Sequence, residues 1–457
     1  MFAGFARSDI TPRLGVQLAG YGPFYNRHAR GIHASIFARA AALETASKRA
    51  LVISVESCGL PRDLSERIRR LVTERTGVPG AAIFLCATHT HSAPAVGSMF
   101  GWGEADAFYV ETLPGRIASA AEAACAALAP VTWSIGTADC PGMAVNREVD
   151  GGQGFAPGFD YRRQLAATWR PAHPELTDPR CRVLVARAGR RTVGILHHFA
   201  CHPVVCGEQT HLVHGDYPGI ASAAWEAKHA GATALYLPGA FGDINPAITH
   251  CDERRSLRAL HVLGRRYTAA IARAARSAQP LPETELAWFR EPTVFPRRRR
   301  TRAYLEREIT RIEQRLAESG TTDNPRIRDS ATNTYLPALV VRLGGLRQVL
   351  AQFDGDTAPN PPINLQGLRL GDVLLLGCGL ELYHGVGQAV VANWPGREPW
   401  VVSLAGGIGY AADHSAGALA DYAADFVPLI IGETPFKAIA RDLPKALRRH
   451  GQALRRA

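Results

Sequence analysis

Short apolar runs alternate with longer amphipathic stripes along the first two-thirds of the chain. The runs "HASIFARAAALE" and "RALVISVES" flank a polar "TASKR", and this pattern predicts a β-hairpin. The stripe in "DLSERIRRLVTERTG" has polar residues at its start and a glycine at its end, which predicts a helix. A buried strand, "AAIFLCAT", follows it. The alternation predicts an α/β (mixed α+β) fold with a layered, mixed-sheet core.

The same alternation continues through the next segments. "DAFYVETLPGRIASAAEAACAALA" has a helical pattern in which Pro114 predicts a kink or a break. "RVLVARAGRRTVGILHHFACH" predicts two strands joined by a turn, and "YPGIASAAWEAKHAG" predicts a helix. "TALYLPGAFGD" predicts a strand that runs into a glycine-rich loop. After a different middle region, "INLQGLRLGDVLLLGCGLEL" predicts another hairpin, and the C-terminal segment predicts a basic amphipathic helix.

Residues 289–360 follow another pattern, with apolar positions spaced alternately by four and three. That spacing is typical of a seam between two helices. We therefore expect one domain, 1–457, with a helical hairpin inserted at 289–360. Packing or dimerisation is the favoured role, and a lid over a site is the alternative. The apolar positions are Leu305, Ile309, Ile312 and Leu316, then Leu339, Leu343, Leu346, Leu350 and Phe353.

Composition narrows the class of protein. The 457 residues are 46% hydrophobic and 20% charged, which is typical of a globular chain. No apolar run is long enough to span a membrane, and "MFAGFARSDITP" lacks the pattern of a signal peptide, so we expect a cytoplasmic protein. The nine cysteines are odd in number and several lie in apolar runs, which favours reduced, buried thiols.

The formal net charge of +11 comes mostly from arginine. The excess is concentrated in "PRRRRTR" (296–302) and in the C-terminal tail. Solvated surface is the favoured interpretation, because the chain has no helix-turn-helix, zinc-finger or RNA-binding aromatic signature. We therefore expect no nucleic-acid partner.

Two histidines at the end of a predicted strand are candidates for metal binding or catalysis. His89 and His91 follow "AAIFLC" and, two positions apart in a strand, would share one face. They could both bind one metal, have different roles, or be polar residues of a strand end. Further polar residues, among them His202 and Glu381, follow other apolar runs. Zinc prefers histidine and carboxylate ligands, so a zinc site competes here with purely structural roles.

Several segments together resemble the catalytic N-terminal domain of the neutral/alkaline non-lysosomal ceramidase family. They are, in chain order, "AGFARSDITPRLGVQLAGYG", "ATHTHSAP", "VNR", "FACHPV", "GDYPG", "GDINP", "LEL" and "GYAADHSAGALADY". The resemblance implies that family's mixed α/β fold. It also implies a zinc-dependent amidohydrolase that cleaves an N-acyl amide bond of a small-molecule or lipid-like substrate with metal-activated water.

The resemblance also implies a role for individual residues. His89, His202, Glu381 and Tyr410 match the zinc ligands. His91 matches a group that contacts the substrate, and Arg147 and Tyr422 match donors to the developing oxyanion. His91 and Asp243 are the candidates for proton transfer to the leaving amine, although Asp243 beside a glycine is equally typical of a turn.

Three departures from the family pattern bear on the substrate. Asn245 stands where ceramide-cleaving members have a serine; asparagine cannot act as a nucleophile, but it can donate a hydrogen bond. The segment "ADYAAD" replaces the usual "GGYE". We also expect a divergent bacterial-type member without the C-terminal immunoglobulin-like domain and the secretion signal of the ceramidases. Ester or lactone hydrolysis, amide formation and a non-catalytic, assembly-forming relative therefore remain alternatives.

Overall fold

The computed structural model describes residues 1–21, 27–97, 99–150, 159–282, 285–298, 300–319, 336–355, 358–412 and 422–456. Its strands are β1 (Phe2–Asp9), β2 (Gly31–Ile32), β3 (Phe37–Glu44), β4 (Arg49–Val55), β5 (Ile83–Ala87), β6 (Ala129–Pro130), β7 (Thr132–Asp139), β8 (Ala144–Asn146), β9 (Arg180–Ala188), β10 (Arg191–Phe199), β11 (Leu212–Val213), β12 (Thr233–Pro238), β13 (Ile244–Pro246), β14 (Gln279–Leu281), β15 (Leu286–Thr293), β16 (Ile363–Leu370), β17 (Val373–Cys378), β18 (Glu381–Leu382), β19 (Trp400–Val402) and β20 (Tyr410–Ala411). Its α-helices are α1 (Arg62–Thr76), α2 (Ala107–Ala126), α3 (Tyr161–Leu165), α4 (Asp216–Lys228), α5 (Glu253–Arg276), α6 (Arg302–Ser319), α7 (Leu336–Ala351), α8 (His384–Val391), α9 (Val427–Ile430) and α10 (Ile439–Arg456).

Two five-stranded sheets form the centre of the molecule. The first has the strand order β5-β4-β3-β1-β6, and the second has the order β12-β10-β9-β7-β14. Both are mixed, because β4 pairs with β5 and β10 pairs with β12 in parallel, while the other neighbours are antiparallel. β5 and β10 run into the segments that carry His89 and His202.

Glycines show how the layers stack. A Cβ at Gly4 in β1 would lie 2.1 Å from a backbone carbonyl of α2, and one at Gly136 in β7 would lie 1.9 Å from a carbonyl of α5. The next side chain of β1, Phe5, points to the opposite face, where its ring fills the space over Gly194 of β10. Helices therefore cover the outer faces while the two sheets pack on each other, which gives an α/β/β/α sandwich.

A third sheet extends this sandwich, with the strand order β15-β16-β17-β19. α10 packs on β16, β17 and α8. β15 and β16 are antiparallel neighbours, and α6 and α7 lie in the connection between them. The two helices pack on each other through Leu305, Ile312, Leu339, Leu343 and Leu346, as the apolar spacing predicts. That the hairpin is an insertion within one domain stays a prediction, and its connecting loop lies outside the described residues.

Most predicted elements are present, and two points differ. The β3–β4, β9–β10 and β16–β17 hairpins are confirmed. Pro114 does not break α2, which continues from Ala107 to Ala126. α5, the longest helix among the described residues, was absent from the predicted elements. Within the described residues, no helix has the length and the apolar content that crossing a membrane requires.

Candidate metal centre

Three buried side chains converge where the layers meet. Nε2 of His202 lies 3.0 Å from Oε2 of Glu381, and Nε2 of His89 lies 3.3 Å from the same oxygen. The residues are 1%, 4% and 4% exposed for His202, His89 and Glu381. One ligand atom from each lies within 4.8 Å of the others, so the three side chains could hold one ion.

The other nitrogen of each imidazole fixes which nitrogen faces the cluster. Nδ1 of His202 lies 2.8 Å from the carbonyl oxygen of Phe241, and Nδ1 of His89 bonds the carbonyl oxygen of Cys58. A carbonyl oxygen only accepts, so both Nδ1 atoms carry a proton, and in the neutral form of each ring the Nε2 lone pair faces the cluster. Two lone pairs and a carboxylate oxygen about 3 Å apart repel one another unless a proton or a metal ion lies between them. The residues therefore fit a zinc ion.

The pKa shifts within the cluster also show that it attracts positive charge. Burial opposes protonation of His89, yet Glu381 raises the pKa of His89 to about 10. Against the effect of burial, His89 and His202 hold the pKa of Glu381 below its ordinary range. Burial lowers the pKa of His202 to about 4. The ionised Glu381 thus draws a single positive charge into the cluster.

Short structural elements bring these residues together. Glu381 and Tyr410 are direct partners in the parallel two-stranded sheet β18–β20, so a predicted ligand from each strand lies side by side. His89 has a φ of 73°, in the left-handed region that costs a residue with a Cβ roughly 1–2 kcal/mol. Its amide donates to the carbonyl of Ser57, and this bond helps to hold the strained turn. Strain of this kind is concentrated at functional sites.

His91 lies beside the cluster rather than within it. Its Nε2 is 3.1 Å from Nε2 of His89, and its buried Nδ1 has no hydrogen-bond partner among the described residues. The ring of Tyr21 meets it edge-on at 4.9 Å between centroids. Gly20, with a φ of 106°, lies so close that a Cβ there would be 2.3 Å from the His91 ring. Arg27 donates to the carbonyls of Ala19 and His91, which fixes the turn around the ring.

Arg147 borders the cluster from the other side. It follows β8, and its Nη2 donates to the carbonyl of Gly242 at 2.6 Å and lies 3.5 Å from the hydroxyl of Tyr410. Burial opposes its charge, but Tyr410, Tyr383 and Glu381 raise the pKa of Arg147 above its ordinary value. A permanently charged donor thus lies next to the predicted fourth ligand.

The structure places Asp243 among loop-fixing bonds. Its carboxylate accepts from the side chain of Asn146 at 2.9 Å and from the amide of His384 at 2.6 Å. Its carbonyl accepts from the amide of Arg147. These bonds occupy both carboxylate oxygens, in agreement with the structural alternative for Asp243, and a role in proton transfer stays a prediction.

Asn245 and Tyr422 complete the predicted set. Asn245 lies in β13, two residues after Asp243, and its buried Oδ1 has no hydrogen-bond partner among the described residues. The backbone of Tyr422 begins a π-helical turn that ends at Phe426. The side chain of Tyr422 lies outside the described part of the chain.

Other histidines that follow strands do not join the cluster. His197 bonds the hydroxyls of Tyr267 and Ser222, each at 3.0 Å. His198 bonds the carbonyl of Val401. Burial lowers the pKa of both to about 3, so they are neutral structural residues of the core.

Comparison with known proteins identifies the family. The profile of the family described as "Neutral/alkaline non-lysosomal ceramidase, N-terminal" matches residues 2–256, more than half of the chain. The chain belongs to this family. His89, Arg147, His202, Asp243 and Asn245 lie inside the matched range, whereas Glu381 and Tyr410 lie beyond it.

Individual family members are similar in sequence or in fold. The neutral ceramidase of Mycobacterium tuberculosis is 28% identical over 249 residues, which cover 50% of this chain and 37% of that relative. The crystal structure of neutral ceramidase from Pseudomonas aeruginosa matches with a TM-score of 0.70 at 19% identity, covering 100% of this chain and 74% of that chain. A structure described as "Ceramidase complexed with C2" matches with a TM-score of 0.70 at 20% identity, over 100% and 75% of the two chains. These structures confirm the mixed α/β fold.

Proposed function

We propose that this protein is a zinc-dependent hydrolase of an amide bond, acting on a small-molecule or lipid-like N-acyl amide. The observation that carries the proposal is the convergence of the Nε2 atoms of His89 and His202 on the carboxylate of Glu381. Family membership supports the reaction class, because the related proteins are described as ceramidases.

His89, His202 and Glu381 would hold the zinc ion, with Tyr410 as the fourth ligand. When bound, zinc supplies Lewis acidity and lowers the pKa of a water molecule towards neutrality. The carbonyls of Cys58 and Phe241 accept hydrogen bonds from Nδ1 of His89 and His202, and these bonds hold both rings in place. Because those carbonyls accept from Nδ1 of each ring, both imidazoles keep the required tautomer and orientation.

His91 and Arg147 would act on the substrate. Attack on an amide carbonyl places negative charge on its oxygen, and fixed donors at that position lower the barrier. Arg147 is anchored through Gly242 and His91 through its packing against Gly20 and Tyr21, so neither must reorganise during the reaction. Burial lowers the pKa of His91 well below its ordinary value, so the resting ring is neutral. The neutral ring would take a proton from water and pass it to the leaving amine. Tyr422 would add a further donor.

Asn245 argues for a substrate other than ceramide itself. Its amide oxygen is buried and lacks a partner among the described residues, and such a group is costly unless a ligand satisfies it. A substrate that offers a hydrogen-bond donor there would satisfy it. Because asparagine stands where ceramide-cleaving members have a serine, we propose an N-acyl amide other than ceramide.

A matched screen tests this function. The zinc-loaded protein is assayed against N-acyl amides of different chain length and head group, with the chelated protein and the corresponding esters in parallel. We expect amide turnover that disappears on chelation and returns with zinc. Unchanged turnover after chelation would refute the zinc mechanism, and cleavage of esters alone would reassign the reaction. Absence of all turnover, together with absence of bound zinc, would favour a non-catalytic relative.

A further inference from the structure

The basic run at 296–302 is built into the fold rather than wholly solvated. Arg297 pairs with Glu433, and its guanidinium carbon lies 4.0 Å from the centroid of the Phe436 ring. The amide of Arg298 donates to the carbonyl of Pro435. Arg297 and Arg298 are thereby held against residues 433–436, and Arg300 lies beside a cavity.

This cavity, of about 230 Å³, lies between the helical hairpin and the chain around α9. Its polar wall consists of Arg300, Tyr304 and Arg342. The guanidinium carbon of Arg300 lies 4.9 Å from the centroid of the Tyr304 ring, so that it stacks on the aromatic face. Two cations and a phenol therefore face one enclosed space.

Two carboxylates near this cavity are shared among arginines, and only one of them contacts an arginine of the polar wall. Glu308 pairs with Arg311 at 2.8 Å, and its distance to Arg342 is 4.0 Å. Glu433 pairs with Arg297. The Nε of Arg342 is buried and has no hydrogen-bond partner among the described residues. The polar wall thus keeps an excess of positive charge and at least one unsatisfied donor, which is the environment that attracts an anion.

The opposite wall is apolar. Leu346 is 1% exposed and Leu429 is 6% exposed, and both belong to the seam between the hairpin and α9. Phe426 and Pro435 complete this wall. A ligand that satisfies both walls needs a compact anionic group attached to an apolar body. A carboxylate matches the fork of a guanidinium in two parallel hydrogen bonds, whereas a bare inorganic anion would leave the apolar wall without a contact.

We infer that this cavity binds the carboxylate end of a small aliphatic acid, with Arg300 and Arg342 on the carboxylate and Leu346, Phe426 and Leu429 on the alkyl chain. Its volume is below the range of about 300–1,000 Å³ that encloses a drug-sized ligand, so only a short acid or the head of a longer one enters. The acyl product of the proposed hydrolysis is an acid of this class, and that identification of the source rests on the proposed function. Phe426 ends the π-helical turn that Tyr422 begins, which places the bound acid next to a segment of the candidate active site.

Calorimetric titration with sodium octanoate, below its micellar concentration, tests the inference. The full chain is used after removal of metal with a chelator, so that carboxylate binding to zinc cannot contribute and the result does not depend on hydrolysis. We expect saturable binding that weakens about tenfold in Arg300→Gln and in Arg342→Gln, since each removes a charge-assisted hydrogen bond. Arg347→Gln is the matched control on α7, because Arg347 is exposed and pairs with Glu313; it should leave the affinity unchanged.

Two further ligands distinguish the contribution of the polar wall to binding from that of the apolar wall. 1-Octanol keeps the alkyl chain without the charge, and acetate keeps the charge without the chain; we expect both to bind at least tenfold more weakly than octanoate. Leu346→Phe fills the cavity and leaves both guanidiniums in place, so it should also lose octanoate even if an arginine variant proves unstable. Absence of octanoate binding, equal binding of 1-octanol, or unchanged affinity in folded Arg300→Gln and Arg342→Gln proteins would each overturn the inference.

Discussion

At the scale of single residues, the partners of the ring nitrogens distinguish His89 from His91. His89 donates from Nδ1 to a backbone carbonyl, so its Nε2 faces the cluster. His91 has a buried Nδ1 without a partner among the described residues, and its ring is held by Gly20 and Tyr21. The first arrangement suits a metal ligand and the second suits a group that exchanges protons with a substrate.

His91→Ala tests this division of roles. We expect the variant to retain its zinc and to lose turnover by a factor of about 10²–10⁴, the usual contribution of a general acid–base group. Metal content and kcat are measured on the same preparation. His173→Ala, at an exposed histidine that pairs with Glu175, is the control. Loss of zinc from the His91 variant would show that His91 is a ligand.

Gly20→Ala tests whether the packing of His91 matters. The new methyl group would collide with the imidazole ring, and a displacement of about 1 Å can cost about 100-fold in rate. We expect a fall in kcat with zinc content unchanged. Gly15→Ala is the matched control, because Gly15 also has a positive φ, of 88°, but nothing lies within 4 Å of its Cβ position. Equal effects in the two variants would mean that backbone strain alone is responsible.

The sequence predicts the side chains of the site more readily than the backbone groups that orient them. His89, His202 and Glu381 follow apolar strands, so pattern and resemblance could nominate them. The carbonyls of Cys58 and Phe241 lie 31 and 39 positions away from the histidines they fix, and a backbone carbonyl has no signature in the sequence. Tyr21 and Arg27 lie in the quoted N-terminal motif and beside it, yet their contacts with His91 depend on the folded turn.

At the scale of elements, long periodic segments were predictable and very short ones were not. α1, α4 and the hairpin helices follow from their apolar spacing. α5 could have been found in the same way, since Leu260, Leu263, Tyr267, Ile271 and Ala274 recur at intervals of three and four and are buried. The strands β18 and β20 are two residues long, and no local pattern predicts that they pair Glu381 with Tyr410.

Leu305→Ala tests the seam of the hairpin. Leu305 is fully buried against α7, so we expect a loss of about 2–5 kcal/mol from the unfolding free energy of this region. Leu316→Ala, at a half-buried position of the same helix, should cost less. Denaturant unfolding followed by circular dichroism measures both, and zinc content should not change in either. A similar loss in the two variants would contradict the described packing.

At the scale of the whole molecule, layers of the sandwich are tied by a buried charge network. Arg39 of β3 bonds Glu56 at 2.7 Å and Glu226 of α4 at 2.9 Å. Arg39 is 3% exposed, so the guanidinium compensates carboxylates that water cannot reach. This network ties the first sheet directly to α4.

Arg39→Met tests the network. Removal of the cation leaves buried carboxylates uncompensated, and we expect a loss of about 3–5 kcal/mol from the unfolding free energy at pH 7. Burial already raises the pKa of Glu56, and without Arg39 that pKa rises further above its unfolded value. The folded variant then binds protons more tightly than its unfolded chain, so its deficit should shrink as the pH falls from 7 to 5.

Arg49→Met is the matched control, since Arg49 forms a partly exposed pair with Glu44 at the other end of the same hairpin. It should cost less than about 1 kcal/mol and show no comparable dependence on pH. Denaturant titrations at the two pH values give both quantities. A deficit for Arg39→Met that stays constant or grows towards pH 5 would contradict the account.

The zinc content of purified variants tests the central claim most directly. Wild-type protein and His173→Ala, reconstituted with zinc and freed of excess metal, should retain about one zinc per chain, as expected for a catalytic site with these donors. His89→Ala and Glu381→Ala, shown to be folded by circular dichroism, should retain almost none, because each loses one of the converging ligands. Retention of a full equivalent of zinc in either variant, or its absence from the wild-type protein, would contradict the assignment of this cluster as the metal centre.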